Sequence, residues 1–383
     1  MAVIDEPPVE VRPDGAAAPA SVAPGSPAPH DPADAPRRVR AVGHTDLFEM
    51  CVAACSGLSL AIALSVVMDW THPLTLVLWA AIGFSLSQWL LVRDRAGSVV
   101  ATDRLMTSLV WSSGVFAVGI LAWMIVYVAA KGIPGLSWGF FTEDMGKVGP
   151  LNPGGGAFHS IVGTLEQTGI ATLFSVPIGI MTAIYLNEMG GRLAPVIRFV
   201  VDAMSGIPSI VAGLLIYTVW VSPDLPVIGK QGFSGLAASM ALTVMMLPFV
   251  TRSAEEMLRI VPGNLREASL ALGAPEWRTT LRVVVPTARS GLVTASILGV
   301  ARVVGETAPV LLTAFGSSST HYDPFSGQQS NLPLFIWALI KQPNAVQIQR
   351  AWTGALVLVS LVLVLFTIAR MVSNRGSKLG GSR

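Results

Sequence analysis

Two stretches of this 383-residue sequence hold side chains whose types and spacing could do chemistry or mechanical work. In ARVVGETAPVLLTA, residues 301–314, Arg302 and Glu306 stand inside a long apolar run. A charge at bilayer depth costs at least about 3 kcal/mol on insertion scales, so its presence calls for a reason. On a continuous helix a four-residue spacing puts both groups on one face, where they can pair. One reading is a structural ion pair that fixes helices or a subunit interface. The other is a lining for the route of a polar solute, with Thr307 beside it.

The second stretch is REASLALGAPEWRTTLRVVVP, residues 266–286, charged and helix-prone between two apolar runs. Its pattern predicts two short helices joined at Gly273, with Asn264 as a cap, Gly273 left-handed, and Pro275 in the first turn of the second helix. Pro286 then marks the start of the next span. Leu270, Leu272 and Trp277 are apolar anchors with arginines around them, a composition suited to filling a groove on a partner. Glu267 is placed to meet a basic group there. Helix, glycine turn and helix also describes a DNA-reading motif, but tethering at both ends to membrane spans argues against nucleic acid.

The elements that must position these residues follow from composition. The chain is 52% hydrophobic and 13% charged. A soluble domain is roughly a quarter charged, so this is a membrane chain. Apolar runs of spanning length lie at 48–68, 73–92, 107–130, 162–187, 195–220, 232–251, 287–315 and 351–373. With the amino terminus inside, nineteen of the 25 Lys and Arg residues fall in cytoplasmic segments, five fall outside, and Arg302 lies within a span. That bias puts both termini in the cytoplasm and supports eight spans. Gated routes need broken helices, and Pro177, Gly206 with Pro208, and Gly305 with Pro309 are candidates.

The rest of the chain is less informative. Residues 1–46 form a Pro/Ala-rich tail expected to be disordered, and 376–383 a short cytoplasmic tail. Cys51 and Cys55 lie in an apolar run and read as packing residues, while the five histidines are scattered, so no metal site and no catalytic constellation is expected. No Walker-type phosphate loop occurs, so ATP and Mg are expected on another chain. The outer loops 131–161 and 316–350 carry several aromatic residues and are expected to receive an external protein.

At 267–286 the sequence resembles the permease subunits of ATP-binding-cassette importers. Their signature is Glu-Ala-Ala, three residues, Gly, nine residues, then Ile-x-Leu-Pro. Here it reads Glu267-Ala268-Ser269, Gly273, and Val283-x-Val285-Pro286. The Gly-Glu-Thr-Ala-Pro run after Ala-Arg is similar to the PstA-type subunits of phosphate importers, as are HSIVGTLEQT, GIPSIVAGL and LPFVTRSAEEMLRIVP. The similarity covers residues 105–375, with 253–286 as the cytoplasmic coupling segment, and leaves an extra hairpin at 47–95.

The resemblance implies an all-α polytopic protein with a type I permease core of six spans behind that hairpin. It also implies a non-enzymatic subunit in the cell membrane that moves phosphate. The implied partners are a PstC-type sister permease, two copies of an ATPase subunit, and an extracytoplasmic phosphate-binding protein. An arginine fork can hold an oxyanion, and a carboxylate beside it would accept a bond from P–OH and keep the site weak. Another oxyanion or small solute is the first alternative. An ion-coupled secondary transporter is the second, and it would show internal repeats and need no cytoplasmic hairpin.

Overall fold

The computed structural model describes residues 44–68, 73–149, 152, 154–222 and 232–378. Most of the expected amino-terminal tail, to residue 43, and the last five residues lie outside these. The described chain is helical, and its contacts divide it into two units, 1–116 and 117–383.

In the first unit, α1 (His44–Met68) and α2 (Pro73–Ala96) form the hairpin that the sequence placed at 47–95. The approach is close because glycines meet: a Cβ on Gly83 would lie 2.9 Å from the Gly57 Cα. Without water to drive association, small residues of this kind let membrane helices gain dispersion contact. The helix α3 (Ser98–Gly132) begins in this unit and ends in the second.

The second unit is built around α8 (Gly235–Arg259). Its buried residues Ala238, Leu242, Met246, Val250, Ala254 and Leu258 recur every four positions, making one continuous apolar stripe. Toward one end this stripe packs on Ala171, Val303 and Val310, and toward the other on Ala183, Val284 and Leu292. Those partners lie on α5 (Phe158–Ile184), on α11 (Val285–Val304) and on the short α12 (Ala308–Ala314), with Val284 just ahead of α11. The last helix, α14 (Ala345–Lys378), follows α13 (Leu332–Ile340).

Two apolar runs are broken at the glycine–proline points marked in the sequence, and two other expectations change. The run at 195–220 is two helices, α6 (Ala194–Ser205) and α7 (Ser209–Ile216, prolonged by a wide turn to Val221), bent by 106°. Among the described residues, seven helices are long and apolar enough to span a membrane, or eight if the bent pair counts as one. The run at 287–315 stops at Val304 and restarts at Ala308. Pro177 breaks nothing, because α5 passes through it, as α8 passes through Pro248. Pro286 is not a boundary: α10 (Glu276–Thr279) and a wide turn over Thr280–Val284 continue into α11 as one helical path from 276 to 304. The wide turn has a local cause, since Pro286 has no N–H for the carbonyl of Arg282 and its ring crowds that oxygen.

Candidate functional site

The projecting hairpin consists of α9 (Gly263–Ala271), the turn at Gly273, and α10. Gly273 has φ +80°, the left-handed conformation that a glycine closing a helix adopts without steric cost. Asn264 does not cap α9, which starts one residue earlier behind Pro262. Glu267, Ala268, Leu270, Leu272 and Trp277 are exposed, and Leu272 is 90% exposed. Ser269, by contrast, turns inward and shares a 2.8 Å hydrogen bond with Thr279, tying the two helices together. An alanine there could not make that bond.

Arg266 fastens the hairpin to the body. Its guanidinium donates to both Glu188 oxygens, Nε to Oε2 at 3.1 Å and Nη2 to Oε1 at 2.8 Å. It also donates to the carbonyls of Val261 (2.8 Å) and Leu258 (3.0 Å). Such a fork fixes an angle as well as a distance. Glu188 ends the α5 segment, so the first hairpin helix is set against the end of a core helix.

One helical turn deeper lies a charged hub that the motif reading missed. Glu255 is 2% exposed and its Oε1 accepts from Arg198 and from Arg259, both at 2.7 Å. Its Oε2 faces Arg252 at 3.5 Å, and Arg252 also pairs with Asp202. The signal was present in LPFVTRSAEEMLRIVP as charges at three- and four-residue spacing, but Arg198 and Asp202 come from α6 and join only in three dimensions.

Arg252 and Arg302 line one cavity of about 170 Å³ with Met204, Ser205, Ile207, Met245, Pro248 and Phe249. Ser205 and Ile207 flank Gly206, so the cavity sits at the α6–α7 break beside Pro208. The Arg302 guanidinium stacks 5.3 Å from the Phe249 ring centroid, a cation–π arrangement that leaves its fork uncommitted. Arg252 is held by Asp202 and Glu255, so of the two guanidiniums Arg302 is the one placed to meet an oxyanion.

Arg302 and Glu306 do not form the ion pair that was one of the two readings of their spacing. Arg302 belongs to the last turn of α11, whereas Glu306 lies in the turn at 305–307, beyond the helix end. Among the described residues neither takes part in a salt bridge. The break removes the helical register on which the pairing depended. Glu306 is half-buried, and its N–H donates to Val303 O at 3.1 Å. Thr307 opens α12 with no side-chain cap, and Pro309 sits in its first turn.

Broken membrane helices around a basic cavity, joined to an exposed helical hairpin, define an integral membrane component of a transport system. Residues 175–378 match the family described as binding-protein-dependent transport system inner membrane component, and the chain belongs to that family. It is 41% identical over 285 residues to the phosphate transport system permease protein PstA 1 of Mycobacterium tuberculosis strain H37Rv, covering 74% of this chain and 89% of that protein. It is 36% identical to the phosphate transport system permease protein PstA of Pasteurella multocida, covering 72% of this chain and 96% of the relative. Among solved structures, a chain of a bacterial alginate ABC transporter in complex with its alginate pentasaccharide-bound periplasmic protein aligns with a TM-score of 0.52. That match is 14% identical and covers 73% of this chain and 98% of the other, so it speaks to the fold alone.

Proposed function

We propose that this chain is the permease subunit of an ATP-driven phosphate importer. The observation that carries the reading is the 41% identity over 285 residues to a phosphate transport permease. The chemistry of the cavity supports it. Arg302 offers a fork to an oxyanion in a cavity it shares with Arg252, whose own guanidinium is held by Asp202 and Glu255, and the turn that follows Arg302 supplies Glu306 and Thr307. A carboxylate at that turn disfavours a fully deprotonated anion and accepts from a P–OH, so the route favours hydrogen phosphate over sulfate and releases what it admits.

In this reading the hairpin face is cytoplasmic, both termini lie on that side, and the chain spans the membrane eight times. Leu270, Leu272 and Trp277 fill a groove on an ATPase subunit, Glu267 meets a basic group there, and Gly273 and Pro286 shape the path that carries the push into α11. ATP and Mg belong to two copies of that ATPase. A sister permease of PstC type completes the route, and an extracytoplasmic phosphate-binding protein delivers the anion.

The test is radiolabelled phosphate uptake in cells lacking their own importer, with sulfate uptake measured in parallel. Arg302→Ala is expected to reduce phosphate uptake at least tenfold, and Glu306→Gln to reduce it while raising sulfate uptake. Near-normal phosphate uptake in both variants would overturn the assignment of these residues to the route.

A further inference from the structure

The segment 329–331, a single bridge residue leading to the extended cap of α13, is non-helical backbone held among the helices. Irregular backbone at bilayer depth persists only where protein satisfies its polar groups. Here Leu332 N donates to Thr164 Oγ1 at 2.8 Å, and Gln329 N donates to Ala314 O at 3.3 Å. The Gln329 amide is also consumed: Nε2 donates to Glu166 Oε2 (2.9 Å) and His321 O (3.2 Å), while Oε1 accepts from Gln167 (3.2 Å). Neighbouring helices leave no slack. A Cβ on Gly235 would lie 2.0 Å from Gln329 Oε1, and one on Gly163 would lie 2.0 Å from Ser330 O.

Asn331, 2% exposed, completes the arrangement. Its Oδ1 accepts from Leu334 N at 2.9 Å and so caps α13. Its Nδ2 donates to the carbonyl oxygen of Glu306 at 3.1 Å. The helix α12 is therefore gripped at both ends by neighbouring residues of one segment, at Ala314 O by Gln329 and at Glu306 O by Asn331. Meanwhile the Glu306 carboxylate has no hydrogen bond or ion pair of its own among the described residues. Its aim is set by the backbone of the turn, and Asn331 is what holds that backbone.

We propose that Asn331 is a positioning residue for Glu306, fixing the 305–307 turn and making it move together with the outer loop 316–328. This rests on the reading that Glu306 lines the phosphate route. Asn331→Ser separates the two bonds of Asn331. A serine can still cap α13, as Ser234 caps α8 and Ser137 caps α4 (Trp138–Thr142), but is too short to reach Glu306.

Two measurements on the full complex test the proposal. In phosphate uptake, Asn331→Ser is expected to lower the maximal rate severalfold at unchanged abundance and unchanged KM, because affinity belongs to the external binding protein. In a background with Cys51→Ser and Cys55→Ser, the only two cysteines of the chain, a Thr307→Cys variant reports the turn through its rate of modification by a methanethiosulfonate reagent. Asn331→Ser is expected to raise that rate severalfold. An unchanged labelling rate or an unchanged maximal uptake rate overturns the proposal. Glu306→Gln keeps the outcomes apart: normal phosphate uptake in that variant removes the route reading, whereas impaired uptake there with a wild-type Asn331→Ser removes only the positioning role.

Discussion

The hairpin at 263–279 and the turn at 305–307 both interrupt long apolar helices, and they are built in opposite ways. The hairpin presents its side chains outward, with Leu272 at 90% exposure, and its bend is written locally by a glycine at φ +80°. Its own ends are tied by the Ser269–Thr279 bond, and one arginine fork sets it on the body. The turn is half-buried and locally underdetermined. Its Glu306 carbonyl is held by Asn331, 25 residues on, and its neighbour Arg302 shares a cavity with residues from α6 and α8. An element bent by its own glycine can be rigid by itself, while a turn held by distant residues depends on all of them.

That contrast can be broken on α8, whose last turns carry Glu255 with Arg198, Arg252 and Arg259 gathered around it. Glu255→Ala would leave three guanidiniums without their buried carboxylate. The guanidiniums are partly exposed and Arg252 keeps Asp202, so the cost is that of lost hydrogen bonds to a charged group, about 1.5–3 kcal/mol. A large fall in thermal unfolding temperature of the purified complex is expected, with loss of transport. A variant as stable as the wild type would mean that the hub bears no load.

A smaller and more selective effect is expected at the bend. Gly273→Asp strains a left-handed position by roughly 1–2 kcal/mol, a cost for which Asp partly compensates. It also places a charge on the docking face. Abundance should stay near normal, while transport-coupled ATP hydrolysis falls about tenfold, equivalent to about 1.4 kcal/mol of coupling free energy. Full coupled hydrolysis would remove the hairpin from the force path.

The smallest effect sharpens the comparison from the inside. Ser269→Ala removes one hydrogen bond between the hairpin helices, worth about 1 kcal/mol. Stability should drop by about that amount, read by denaturation, with phosphate uptake unchanged. A loss of uptake without loss of stability would mean that Ser269 belongs to the docking face rather than to the hairpin's own scaffold.

Legibility in the sequence followed the same division. The hairpin was readable because its spacing is contiguous: Glu267, Gly273 and Pro286 occupy fixed offsets, and the left-handed glycine is a local necessity. Only its edges slipped, at Asn264 and Pro286, where a proline-driven wide turn kept the helix going. Pro177 misled for a related reason. A proline weakens a helix locally, yet packing against α8 holds α5 continuous through it. The route was harder to read. Residues 206–208 and 305–309 were recognisable as weak points, but the partners that gather around them were not. Arg252 and Glu255 are three apart on α8, but no spacing links them to Asp202, Gln329 or Asn331, which come from α6 and the 329–331 segment.

The sequence by itself determined an apolar, multi-helical membrane chain, the hairpin with its bend, and the helix breaks at 206–208 and 305–307, since each depends on hydrophobic run length or on the conformational limits of single residues. Only the tertiary structure decided which charges meet. Arg302 lines the cavity it shares with Arg252 and makes no salt bridge to Glu306, because a helix that ends at Val304 no longer imposes its register, and the positions beyond are set by contacts distant in the chain.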